Sequence, residues 1–209
     1  MHKDDAACGA ALTELAAFLR IAQALDCPLV AHALGGRSGQ FRDGDLARGV
    51  GWLRRAADAA GAAGVRLVLE THAHGPLETV AGIERVMRAV DHPNVGLIDD
   101  PSNLWGAGEE HGAGTVRRLG GWIWHVHVKD GRVFPPATPE GGPRWDHTLL
   151  GEGACDHVPV LEGLLAIGYS GALTCECRAD LPSEERAAHD LRALRERVAR
   201  AGGRARSGG

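Results

Sequence analysis

The chain has 209 residues, 44% apolar and 24% charged, values that suit a single globular domain with a real core. Its net charge of −4 gives no global attraction to nucleic acid or to an anionic membrane, so neither is an expected partner. No apolar run approaches the ~20 residues that cross a bilayer, and "MHKDDAACGA" lacks the apolar centre of a signal peptide. Five cysteines without a CxxC pair read as reduced thiols in a cytoplasmic protein.

In chain order, residues 10–25 have the apolar spacing of a helix, and "CPLVAH" (27–32) is a short strand-like run. A helix over 45–63 is broken by Gly64 and followed by the strand "VRLVLETH" (65–72). Residues 77–90 predict an amphipathic helix, then "NVGLIDD" (94–100) a strand. A shorter helix near 111–119 precedes "WIWHVHV" (122–128). After a Gly/Pro-rich loop (131–146), a brief strand at "TLL", a helix over 155–167, the strand "ALTCECR" (172–178) and a helix over 183–201 complete the pattern. Residues 202–209, "GGRARSGG", read as a disordered tail. Buried strands alternating with helices argue for a parallel sheet wrapped by helices, with chemistry at the carboxyl ends of the strands.

Those ends carry polar residues on otherwise apolar strands, a costly place for an unpaired charge. In "WIWHVHVKD", His125, His127 and Lys129 share one face, and the Trp/Val face points the other way. "LVLETH" ends on Glu70 and His72, "NVGLIDD" on Asp100, "LTCECR" on Glu176 and Arg178, and "PLVAH" on His32. Like charges gathered at one mouth repel unless a cation holds them. Glu70, Asp100, His127 and Glu176 form a set of three carboxylates and one imidazole. Such ligation suits Mn²⁺, Mg²⁺ or Co²⁺, and Zn²⁺ is compatible. Only Lys3 and Lys129 among the 23 basic residues are lysine, so a lysine at a strand end is not filler. Cys175 and Cys177 flank Glu176 on the opposite, helix-facing side. His74, His92, His111, His157 and His189 fall in loops or helices and read as surface residues. Trp105 and Trp145 fall in expected mouth loops, as stacking surfaces or as packing.

"LVLETH", "GLIDDPSN", "HVHVKD" and "LLGEGACDHVPVLEGLLAIGYSGALTCEC" resemble the xylose-isomerase-like TIM barrels. This is the sugar phosphate isomerase/epimerase group related to endonuclease IV. The resemblance runs from about residue 10 to 198. It implies a (β/α)8 barrel lacking its first two strands, about six parallel strands in one incomplete domain over 1–201. It also implies Glu70, Asp100, His127 and Glu176 as metal ligands, with Glu70 and Glu176 as acid and base. Proton removal next to a carbonyl gives an enediolate, which a divalent cation stabilises. His32, His72, Asn103, Lys129 and Arg178 are the expected substrate contacts. For Lys129 and Arg178 a salt bridge to a ligand carboxylate is the slightly preferred reading over a substrate contact.

Asn103 stands where many relatives have histidine, which weakens an analogy needing a second metal. The expected function is a divalent-metal-dependent isomerase or epimerase of a small sugar or hydroxy-keto compound. Keto-polyol dehydration, abasic-site endonuclease activity and an impaired remnant are the alternatives. Truncation of the start is the preferred reading of the missing strands; a homo-oligomer covering the two unpaired sheet edges is the alternative.

Overall fold

The computed structural model describes residues 4–32, 34, 43–72, 75–134 and 144–207. The chain forms two compact units, one from residues 1–98 and 122–124, the other from 99–121 and 125–209.

The first unit contains α1 (Asp5–Ala24), β1 (Leu29–His32), α2 (Asp43–Ala62), β2 (Arg66–Glu70) and α3 (Val80–Val90). It also holds most of β3 (Val95–Asp99) and the start of β4 (Ile123–Val128). α1 begins where the Asp4 carboxylate accepts the Ala7 N–H at 2.8 Å. α3 is the most amphipathic helix: Val80, Ile83, Val86, Met87 and Val90 are buried at three- and four-residue spacing. The Thr79 hydroxyl caps its start by accepting from Gly82 N–H, and Asp91 ends it in the left-handed region at φ 36°. β1, β2 and β3 pair in parallel, with Leu67, Leu69 and Leu97 fully buried. Burial on both faces is why β2 and β3 read as continuous apolar runs instead of alternating ones. Gly96 in β3 leaves room for a ring: a Cβ there would lie 2.2 Å from Trp124 Cδ2.

The second unit adds α4 (Pro101–Gly106), α5 (Ala113–Leu119), the rest of β4, β5 (Asp130–Phe134) and β6 (Arg144–Thr148). α6 (Val158–Ala166), β7 (Leu173–Cys175) and α7 (Ser183–Ser207) complete it. α6 packs against α5 and α7, burying Val158, Val160, Leu161 and Leu164. β7 pairs in parallel with β4, and His127 lies opposite Thr174. Hydrogen bonding orders the strands β1-β2-β3-β4-β7, so this sheet ends at β1 and at β7. No helix among the described residues is long and apolar enough to cross a membrane.

The structure departs from these expectations in four places. The strand expected at "TLL" is not part of the parallel sheet: Thr148 instead closes β6, which pairs antiparallel with β5. β5 and β6 take residues 131–134 and 144–146 of the stretch 131–146 expected to be loop; residues 135–143 of it lie outside the described residues. α4 was not expected at all, although Asp-Pro at its start is a strong helix-opening signal. Finally, α7 stays helical through Ser207, into the stretch expected to be a disordered tail. The alanines and arginines around Gly202 and Gly203 are good helix formers.

Candidate metal centre

Within the second unit, one ligand atom each from Asp100, His127 and Glu176 lies within 4.8 Å of the others. Each is placed by a different local device. Asp100 is the N-cap of α4: its Oδ1 accepts the Asn103 N–H at 3.0 Å, and Pro101 follows at the first helical position. The cap commits one oxygen to the backbone and fixes the direction of the other. That second oxygen, Oδ2, lies 2.6 Å from Lys129 Nζ and 4.0 Å from His127 Nδ1. His127 sits near the end of β4, and its Nδ1 is 3.7 Å from Glu176 Oε2. Glu176 follows β7, where its N–H donates to the Val128 carbonyl at 2.9 Å. Glu176 Oε2 also accepts from Lys129 Nζ at 3.2 Å.

Asp100 is fully buried and Lys129 nearly so, whereas Glu176 is 37% exposed at its side chain. The partly exposed carboxylate is therefore the one able to meet a diffusing molecule. Burial works against the Lys129 ammonium, but the Asp100 and Glu176 carboxylates outweigh it and hold its pKa above the ordinary lysine range. The Ser102 hydroxyl of α4 donates to the Lys129 carbonyl, tying the lysine's backbone to the helix that Asp100 starts. Two carboxylate oxygens and an imidazole nitrogen facing a common point are a donor set that fits a hard divalent cation.

The other residues singled out from the sequence are more scattered. His32, at the end of β1, and His72, past the end of β2, are exposed in the first unit. Glu70 closes β2, half-buried and in register with Ile98. Asn103 donates its backbone N–H to Asp100. Arg178 is exposed and borders a cavity of about 650 Å³ together with Glu176, Arg186 and Asp190. Cys175, half-buried, and Cys177, buried, line the same cavity as Glu176. His74 lies outside the described residues.

His157 is not a surface residue. It is 1% exposed, with Nε2 3.2 Å from the Ser102 hydroxyl. Burial is the main force pushing its pKa down to about 4; Arg197 adds to that and Asp130 opposes it. The folded pKa lies below the unfolded value near 6.5, so the folded state refuses a proton that the unfolded chain accepts. The stabilisation is complete above pH 6.5 and declines as pH falls towards 4. Over that window the wild-type chain is expected to lose roughly 3 kcal/mol that His157→Gln does not lose. Denaturant melts of both proteins at pH 7 and pH 4.5 measure the difference.

A family model described as the xylose isomerase-like TIM barrel matches residues 1–197. The chain belongs to that family. Its five parallel strands and surrounding helices are thus an incomplete (β/α)8 barrel. Among solved structures, a xylose isomerase domain protein from Planctomyces limnophilus superposes with a TM-score of 0.74 at 21% identity, over 93% of this chain and 67% of that one. An IOLI protein with a zinc atom bound gives 0.79 at 21%, over 96% and 73%. A family member from Mycobacterium smegmatis in complex with magnesium gives 0.70 at 20%, over 90% and 67%. By sequence, an inosose dehydratase of Geobacillus thermodenitrificans is 31% identical over 140 residues, 61% of this chain and 45% of that protein. One from Lacticaseibacillus casei is 29% identical over 148 residues, 67% and 49%. The chain spans about half the length of these curated relatives.

One residue of this xylose isomerase-like barrel escapes sequence reasoning entirely. His147 stands on β6 within electrostatic range of Lys129, Arg178 and Glu176. Burial lowers its pKa first, and the Lys129 and Arg178 cations lower it further. Its Nδ1 accepts from Trp145 Nε1 at 3.2 Å, which leaves Nε2 to carry the proton of the neutral ring. Trp145 in turn packs edge-on against Trp105 of α4, with ring centroids 5.1 Å apart. Both tryptophans thus pack on each other. No sequence signal marks His147, because the hairpin that carries it was read as loop.

Proposed function

We propose that Glu70, Asp100, His127 and Glu176 together hold one divalent ion and that the chain acts on a small keto-polyol by removing a proton next to its carbonyl. The observation that carries this reading is the convergence of Asp100, His127 and Glu176, with one carboxylate left partly open to solvent. Bound there, Mn²⁺, Mg²⁺ or Co²⁺ supplies Lewis-acid stabilisation for negative charge developing on the substrate oxygens, worth several kcal/mol. Zn²⁺ fits the same donors. Glu176 takes the proton from carbon, and Glu70 acts from the other side as its acid–base partner. For dehydration, the electrons of the broken C–H bond form the C=C bond, and the neighbouring hydroxyl leaves as water with the proton that Glu176 took from carbon. For epimerisation, Glu176 releases its proton to solvent and a solvent proton reaches the opposite face of the same carbon by way of Glu70. Sequence kinship to inosose dehydratases favours the first outcome, and the second shares its first step. His32, His72, Asn103, Arg178 and His147 are the polar groups offered to substrate hydroxyls.

Proton removal is tested by incubating the protein with Mn²⁺ and an inosose in D₂O. The expected result is deuterium entering at the carbon next to the carbonyl, with an unsaturated ketone absorbing in the near ultraviolet when water is also lost. Deuterium uptake no faster than in buffer with Mn²⁺, for inososes and ketoses alike, contradicts the proposal.

A further inference from the structure

We infer that Lys129 is the built-in counter-ion of this centre, fixing its charge so that a divalent ion, and no larger positive charge, completes it. The inference rests on the metal reading above and concerns a residue for which the sequence supports both a substrate contact and a salt bridge to a ligand carboxylate.

The geometry places the ammonium against ligand oxygens. Lys129 Nζ lies 2.6 Å from Asp100 Oδ2 and 3.2 Å from Glu176 Oε2, and those same two oxygens face His127 Nδ1. The lysine side chain is 8% exposed, so water does little to screen it. Its backbone is anchored through the Ser102 hydroxyl on its carbonyl, and the adjacent Asp130 is buried and bonded to four backbone N–H groups. A substrate-binding lysine is ordinarily mobile and points its ammonium into the cleft. This one is spent on two carboxylates.

The charges then sum simply. Glu70, Asp100 and Glu176 bring three negative charges as ligands, Lys129 brings one positive, and His127, which must be neutral to ligate, brings none. Two negative charges remain, which a divalent cation neutralises. Without metal, the ammonium keeps Asp100 and Glu176 from repelling each other. With metal, it opposes the incoming ion at close range and limits the affinity. Removing it has two opposite consequences: the metal-free protein loses stability, and the metal binds more tightly. A lysine that only shaped the site structurally gives weaker metal binding when lost. One that only bound substrate gives unchanged metal binding and a raised KM.

The test is titration calorimetry of Mn²⁺ into wild type, Lys129→Met, Lys129→Gln and Lys129→Arg, with melting temperatures measured in the presence and absence of Mn²⁺. The expected result is at least about tenfold tighter Mn²⁺ binding in the two neutral variants. They also melt lower without metal and gain more on adding it, while Lys129→Arg stays close to wild type. Neutral variants that bind Mn²⁺ as wild type does, or more weakly, overturn the counter-ion role while leaving the metal centre standing. Absence of Mn²⁺ binding by wild type overturns the metal reading itself, and this inference with it. Should Lys129→Met fail to fold, Lys129→Gln, which keeps a polar head over both carboxylates, carries the comparison.

Discussion

Changing Glu176 to glutamine is expected to slow proton removal from a keto-polyol substrate by about 10²–10⁴-fold, the usual contribution of a placed general base. Glutamine keeps the length and one oxygen, so the backbone bond from residue 176 to Val128 and the pairing of β7 with β4 persist. What goes is the negative charge and the basic lone pair. Lys129 is left with Asp100 as its anionic neighbour at 2.6 Å, which holds it in place. The loss should therefore appear in kcat for deuterium exchange, with the melting temperature little changed. Retention of near wild-type exchange by Glu176→Gln would remove this residue from the proton-transfer role.

Replacing Asp130 with alanine has the largest expected effect on stability. Its carboxylate is 1% exposed and accepts four backbone N–H groups: Gly131 at 2.8 Å, Gly151 at 2.9 Å, Gly153 at 3.3 Å and Cys155 at 3.1 Å. These bonds tie the loop 151–155 to the start of β5. Gly153 packs so closely that a Cβ there would lie 2.1 Å from Asp130 Oδ1, which allows no side chain at 153. In the alanine variant four donors lose a charged acceptor, and each orphaned group costs about 1–3 kcal/mol before water reaches it. With partial solvation, a total of about 3–5 kcal/mol is expected, equivalent to roughly 10 °C in Tm for a chain of this size. Thermal melts followed by circular dichroism check it; a shift under about 2 °C would mean the loop finds other partners.

The parallel strands are legible because each is short, apolar and closed by a polar residue, the pattern of buried parallel strands. Asp100, His127 and Glu176 were legible for the same reason: each breaks an apolar run at a strand's carboxyl end. The role of Lys129 was only half visible. Sequence places it on the histidine face of β4 and favours a salt bridge to a ligand carboxylate, but which carboxylates it meets depends on α4 presenting Asp100 Oδ2, an element the sequence reading lacks. The β5–β6 hairpin stayed hidden since "DGRVF" and "RWDHT" show no clean alternation of apolar and polar residues. With it goes His147. His157 was misplaced for a related cause. Its burial is set by Ser102, 55 residues away in sequence, and no local pattern encodes that contact.

The most direct measurement is the amount of Mn²⁺ that stays with the purified chain after gel filtration, for wild type, Glu70→Ala and His127→Ala. About one ion per wild-type chain, lost in both variants while their circular dichroism stays that of a folded protein, is the predicted result. A wild-type chain that elutes free of Mn²⁺, or variants that retain as much as wild type, would show that residues 70, 100, 127 and 176 do not share an ion.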